Sequence, residues 1–272
     1  MQAKIGDLDK LDYNELISIV KETNRPPGGK NTVFEIINRL MVSQNTSILE
    51  IGTSTGFTAI EISRFVKSKI TSVDINELSL KEAGRRAKGE GYTNIQFVKA
   101  DVTKLPFKNE SFDVVIVGNV LSLLQNREKA IKECMRVCKK DGFIVAIPMY
   151  YLKRPTKKLV NDVSNALKVK ITPLYKKDWV DFFSINSLEI YWSKNFKFDY
   201  IKDKVVTSFV DSLVNKSRMK DIDSAVLPKL HVKYKKYMLL FRDNLSIMGY
   251  TILILSKHRV WEDPELYTST EI

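Results

Sequence analysis

SILEIGTSTG, residues Ser47–Gly56, is the stretch on which the fold turns. Ser47–Ile51 is a short apolar run that ends in a glycine, and Gly56 opens an amphipathic helical segment reaching Lys67. A glycine just past a buried strand lets the backbone turn sharply and approach a ligand, and the helix that follows brings its N-terminus to the same edge. The alternation then repeats along the chain. Ile70–Asp74 reads as a second strand and Glu77–Glu90 as a charged helix. Ile95–Ala100, Phe112–Gly118 and Gly142–Pro148 read as further strands, with a helix over Arg127–Lys139. The strands are continuously apolar rather than alternating, so both sheet faces are covered. Strands alternating with helices predict an α/β fold, a doubly wound and mainly parallel sheet.

Acidic and amide residues stand at successive strand ends. Asp74 closes the second strand, where a carboxylate can accept two hydrogen bonds from a ribose diol. Asp101 follows the third, where it could receive an exocyclic amine, and Asn119 follows the fourth. Each alone could be a turn or cap residue. Together they line the ligand-binding edge of one sheet.

The motifs ILEIGTSTG, TSVDIN, FVKADVTKLPF and FDVVIVGNVLSLL resemble, in order and spacing, those of class I S-adenosylmethionine-dependent methyltransferases of the branch acting mostly on small molecules. ECMRVCKKDGFIVAI resembles that family's helix, turn and fifth strand. The resemblance covers Ser47–Pro148 strongly and Gly249–Lys257 weakly. It implies a seven-stranded sheet whose last strand is antiparallel, with S-adenosyl-L-methionine as cofactor, S-adenosyl-L-homocysteine as product and no metal. Residue by residue, it implies that Glu50 orders the glycine loop near the cofactor's amino acid end, and that Gly52 and Gly56 close beneath the methionine and ribose. Thr53 and Ser54 would supply backbone contacts. Asp74 would hold the ribose hydroxyls, with Ile75 against one adenine face. Asp101 would accept the adenine amine beside Val102, and Asn119 and Leu121 would lie near the sulfonium. Two features depart from the family pattern: Ser54 stands where a glycine is common, and Ser122 and Leu123 stand where relatives often carry histidines.

Other chemistries fit less well. A nicotinamide dehydrogenase needs glycine at position 54 and glycine or alanine at position 57, where this chain has Ser54 and Phe57. An adenine amino-methylating enzyme would show an Asn/Asp-Pro-Pro-aromatic box where this chain reads Gly118-Asn-Val-Leu121. A cytosine C5 enzyme needs a nucleophilic cysteine there. Cys134 and Cys138 are the only cysteines, one turn apart on a helix away from that edge, and read as packed. They exclude a disulfide framework and a cysteine-built metal site, and two histidines, His231 and His258, argue against a histidine-rich one. A non-enzymatic cofactor-binding sensor or scaffold stays open, because a fold does not prove a function.

The 272 residues carry 44 Lys+Arg against 32 Asp+Glu, a net charge of +12, with 44% hydrophobic and 28% charged residues. Disorder is excluded. The start lacks a signal-peptide pattern, and the longest apolar runs are too short to span a bilayer, so a cytoplasmic location is expected. Residues 1–150 hold 22 Lys+Arg and 18 Asp+Glu, whereas 151–272 hold 22 and 14, so the second half carries most of the excess. An anionic small molecule, nucleic acid, a membrane surface or a solvated lysine surface all fit that excess, and an RNA, DNA or protein methyltransferase using this basic half is the alternative to a small-molecule one.

Outside the central alternation, Asp9–Thr23 reads as an amphipathic helix, and Val33–Val42 as a helix capped by Thr32 with Glu35 in the capping-box position. Later, Lys157–Leu167, Asp178–Ser184, Val205–Val214 and Pro228–Leu245 read as helices, Leu188–Tyr200 contains a strand, and Gly249–Lys257 is the last strand. The expected organisation is an N-terminal helical cover at 1–45, a core at 46–201 and 249–260, a helical cap at 202–248 on the substrate side, and a tail at 261–272. Cover and cap should enclose the site from opposite sides. The lysines Lys229, Lys233 and Lys236 fall on one face of the last helix and read as a solvated face or a phosphate-tracking one. No catalytic base is evident; His231 is the candidate if one is needed, against its reading as a surface residue. Tyr13, Tyr150, Tyr151, Tyr175 and Trp179 are candidates to line a substrate pocket.

Overall fold

A computed structural model describes residues 8, 11–215, 217, 219–220 and 222–257. The expected tail at 261–272, and His258, lie outside the described residues.

The described residues form an eight-stranded sheet. Its parallel part runs β3 (Ile95–Lys99), β2 (Lys69–Asp74), β1 (Ser47–Ile51), β4 (Phe112–Gly118), β5 (Cys138–Ala146). β8 (Met248–Ser256) joins antiparallel to β5, to β6 (Met149–Tyr151) and to β7 (Glu189–Lys197). β5 and β6 occupy successive lengths of one edge of β8, and β7 takes the other. Pro148 explains the break between β5 and β6: it has no N–H to give, while its carbonyl still accepts the Thr251 N–H. β6 is the strand that raises the expected seven to eight.

Helices cover both faces because the strands present apolar side chains on both. On one face, α5 (Arg127–Val137) and α7 (Lys176–Ile185) pack Ile131, Cys134, Trp179 and Phe183 against Leu49, Val115, Ile144 and Leu253. On the other, α2 (Gly29–Arg39) and α3 (Phe57–Phe65) pack Val33, Ile36, Phe57 and Ile62 against Ile48, Val114, Val145 and Ile252. α4 (Glu77–Gly89) contacts β2 and β3, and α6 (Lys157–Leu167) lies against α9 (Leu227–Leu245).

Several boundaries differ from the sequence reading. α2 begins at Gly29, with Gly28 as its N-cap in the left-handed region. Thr32 is not a cap: it is already inside the helix, and its hydroxyl donates to the Pro27 carbonyl at 2.6 Å. Glu35 reaches Lys194 on β7 instead of closing a capping box. α5 stops at Val137 because Cys138 is already extended. β5 therefore starts ahead of Gly142, its first residues fastened by a Lys139–Asp113 ion pair at 2.7 Å.

The expected N-terminal cover divides: α2 packs on the sheet, whereas the first helix joins the expected cap. α1 (Tyr13–Ile19), α8 (Asp203–Leu213) and α9 share one apolar cluster, in which Leu16 and Val20 meet Val210, Leu230 and Tyr234. Their apolar stripes have no sheet face left to cover, so they cover one another. Lys233 is not on a solvated face either. Its Nζ donates to the carbonyls of Leu8 and Leu11, both at 2.6 Å, and ties the N-terminal segment to α9.

Candidate cofactor site

The loop between β1 and α3 is built around backbone that side chains tolerate poorly. Gly52, Ser54 and Gly56 have φ of 72°, 48° and 81°. Glycine takes these values freely and serine does not. A Cβ at Gly52 would stand 2.2 Å from Val120, and one at Gly56 would stand 2.9 Å from the Ala83 Cβ, so both glycines are required by close approach as well.

Every side of this loop is held. The Gly52 and Thr53 amides donate to the Val73 carbonyl, and the Gly56 amide donates to the Thr53 carbonyl. Glu50 is buried beneath it and accepts the hydroxyls of Thr53 at 2.7 Å and Ser72 at 2.8 Å. Burial pushes the Glu50 carboxyl above its usual range, opposed by those hydrogen bonds and by one from Thr58. Asp74 accepts the Ser54 amide on Oδ2 at 2.8 Å and the Asn76 amide on Oδ1 at 2.9 Å. Arg86 of α4 donates to the Thr55 carbonyl at 2.6 Å. The amides of Thr53 and Ser54 are thus bonded to Val73 and Asp74 of β2.

Asp74, Ile75 and Asp101 line up at the carboxyl ends of β2 and β3. Asp101 is exposed and steadied by the Thr103 amide on Oδ1 at 2.8 Å. Ile75, next to Asp74 at the end of β2, is 70% exposed. A bare apolar side chain with acceptors at the same sheet edge suits an adenosine, which offers a ring face, a diol and an amine. The residues present therefore fit a nucleoside cofactor. Val102 and Leu121 face the other way: both are buried in the sheet core, because the tight Asp101–Lys104 turn and the short helical turn Val120–Leu123 direct them inward. Asn119 stands past β4 with both ends engaged, accepting the Ser122 hydroxyl at 2.6 Å and donating to Met149 Sδ at 3.1 Å.

The remaining candidates are scattered. His231 lies 2.7 Å from Asp211 and joins α9 to α8. Tyr150 and Trp179 line a cavity of about 160 Å³ with Pro148, Val180, Ser193 and Leu253, at the β7–β8 side of the sheet. Tyr151 donates to Asn244 at 2.8 Å, and Tyr175 is exposed at the start of α7. Tyr13 joins an aromatic group with Tyr237 and Phe241, the Phe241 ring centroid at 4.5 Å. The cysteines are buried; burial raises the Cys134 thiol far and the Cys138 thiol to about 11, so neither is a thiolate nucleophile at neutral pH. The residues that sequence reading missed are Asn24, Ser72, Thr58 and Arg86. Each is an ordinary polar residue in its own segment and meets the loop only through folding.

The family model described as "Methyltransferase domain" matches residues 49–146, the β1–β5 stretch just described. A Haemophilus influenzae protein described as uncharacterized is 32% identical over 178 residues, covering 64% of this chain and 70% of that protein. The chain belongs to the class I S-adenosylmethionine-dependent methyltransferases. The cofactor of this methyltransferase is S-adenosylmethionine. It is also similar to the ubiquinone/menaquinone biosynthesis C-methyltransferase UbiE of Pseudomonas entomophila, 32% identical over 139 residues. That match covers 50% of this chain and 53% of the relative, so the methyltransferase spans about half the length of the UbiE proteins it matches. Among solved structures, a methyltransferase from Geobacter sulfurreducens in complex with S-adenosyl-L-homocysteine shares the fold, with a TM-score of 0.66, 14% identity and coverage of 90% of this chain and 98% of that one. Among the described residues, no group of His, Cys, Asp or Glu could hold a metal ion, and no helix is long and apolar enough to cross a membrane.

Proposed function

We propose that this methyltransferase transfers the methyl group of S-adenosylmethionine to a small aromatic acceptor held beside α1 and α9. The observation that carries the reading is the meeting of two features. One is the held loop with Asp74, Ile75 and Asp101 at the sheet edge. The other is the aromatic group of Tyr13, Tyr237 and Phe241, tied to that loop through Glu22: Tyr13 and Tyr234 both bond the Glu22 side chain, and the Glu22 carbonyl accepts the Thr55 hydroxyl at 3.2 Å. Similarity to proteins named as quinone-pathway C-methyltransferases supports a small-molecule acceptor.

Bound S-adenosylmethionine supplies a methyl group already activated by its sulfonium, so this chain's residues have mainly to bind and orient. Asp74 and Asp101 accept from the nucleoside, Ile75 packs on its ring, and Glu50 keeps the loop in shape. The α1–α8–α9 cluster serves as the cover that excludes water and holds the acceptor. His231 is engaged by Asp211 within the cap and has no proton-transfer role in this reading.

The test is a calorimetric titration with S-adenosylhomocysteine, with NADH as control and Asp74→Ala beside the parent. The parent should bind the first ligand only, and Asp74→Ala should bind it at least tenfold more weakly, about 1.4 kcal/mol. Equal binding by both proteins would remove Asp74 from the site. With methyl-labelled cofactor, label should then appear in added hydroquinone-type phenols and not in RNA; label in RNA alone would replace the small-molecule reading with a nucleic-acid one.

A further inference from the structure

We propose that Asn24 is a positioning residue for the cofactor loop, holding Ser54 in the left-handed conformation that aims the loop at its ligand. The inference rests on reading Gly52–Gly56 as that loop. Ser54 has a φ of 48°, where a side chain crowds its own backbone. Two contacts hold it there: its amide donates to Asp74 Oδ2 at 2.8 Å, and its hydroxyl accepts Asn24 Nδ2 at 3.2 Å. The Asn24 amide also donates to the Thr55 hydroxyl at 3.2 Å, and that hydroxyl donates to the Glu22 carbonyl. Residues 22–24, in the connection from α1 to α2, thus grip two consecutive loop residues from outside the β1–α3 unit. The same bonds fix the carboxylate expected to hold the ribose, because Asp74 is oriented by the Ser54 amide. Tyr234 of α9 bonds the Glu22 side chain, so the connection is also seated on the cap. Nothing in the site reading requires Asn24 to touch the ligand.

Four proteins test the inference: the parent, Asn24→Ala, Ser54→Gly and the double variant, each titrated with S-adenosylhomocysteine and melted without ligand. Glycine adopts the left-handed conformation unaided and offers no hydroxyl, so it makes the Asn24 side chain unnecessary. Asn24→Ala alone should weaken binding about five- to tenfold, the worth of one hydrogen bond with the conformation it holds. Combined with Ser54→Gly, the same change should cost less than about twofold. Asn24→Ala should leave the melting temperature close to the parent's. An equal loss in both backgrounds, or a matching fall in melting temperature, would overturn the inference, and so would no loss in either. If the parent itself fails to bind S-adenosylhomocysteine, the site reading falls, and this inference with it.

Discussion

Glu50 is a carboxylate taken out of water and given hydroxyl partners, and its titration reports how the loop is held. Burial is the largest influence on it and raises its carboxyl; the bonds from Thr53, Ser72 and Thr58 oppose the rise, and Asp74 adds to it. A carboxyl raised in the folded state binds its proton more tightly than the unfolded chain does. Its contribution to stability is therefore full below the usual carboxylate value and is lost as pH rises through the raised one. Glu50→Gln removes this titration. The melting temperature of Glu50→Gln, measured relative to the parent, should rise as pH is taken from about 4 to about 7. A difference constant over that range would mean that Glu50 ionises in the fold without penalty. At this scale the charged residues were legible: Asp74 and Asp101 stand at strand ends, where the sequence marks them, and the family resemblance marks Glu50. Ser72, Asn24 and Arg86 were not, because a serine inside a strand, an asparagine in a turn and an arginine on a helix have many ordinary uses.

Elements were legible where apolar periodicity and glycines coincide, as in β1, β2 and β4. They slipped where neighbours overrule the local pattern. α2 starts at Gly29 because two left-handed glycines let the chain turn directly out of Pro27, and a Cβ at Gly28 would collide with Thr32 and with Tyr250 of β8. β5 starts early because Lys139 and Lys257 secure its first residues, the latter donating to the Cys138 carbonyl. The packing of α1 with α8 and α9 carries its own prediction. Leu230 is fully buried in their cluster, so Leu230→Ala should cost about 2–5 kcal/mol of local stability. Amide exchange should then quicken in α1, although no substitution lies there, while α5 stays protected because it packs in a different cluster. Equal loss of protection in α5 would show that cover and core open as one unit.

For the whole molecule, the parallel strands bring Asp74, Ile75 and Asp101 to one edge of the sheet, and α1, α8 and α9 form a separate cluster. A ligand that binds this folded arrangement and not the unfolded chain must stabilise it. S-adenosylhomocysteine at about a hundredfold its dissociation constant should add about 2.7 kcal/mol, read as a higher melting temperature, and NADH should add nothing. Stabilisation by both would mean that the edge recognises dinucleotides generally. The net charge of +12 is a weaker guide at this scale, since Lys233 is committed to the Leu8 and Leu11 carbonyls.

The α/β class and the carboxylates at the strand ends were written in the sequence. Each follows from a local pattern: an apolar run long enough for a strand, a glycine where the backbone must reverse, an acid at the strand's end. Tertiary structure alone decided that α1, α8 and α9 form one cluster, that Asn24 reaches Ser54 across 30 residues and that Tyr234 reaches Glu22 across 212. Amphipathic helices present apolar stripes that pattern cannot tell apart, and which stripe meets which is settled by the one arrangement that buries them all while leaving no described buried polar side chain without a partner.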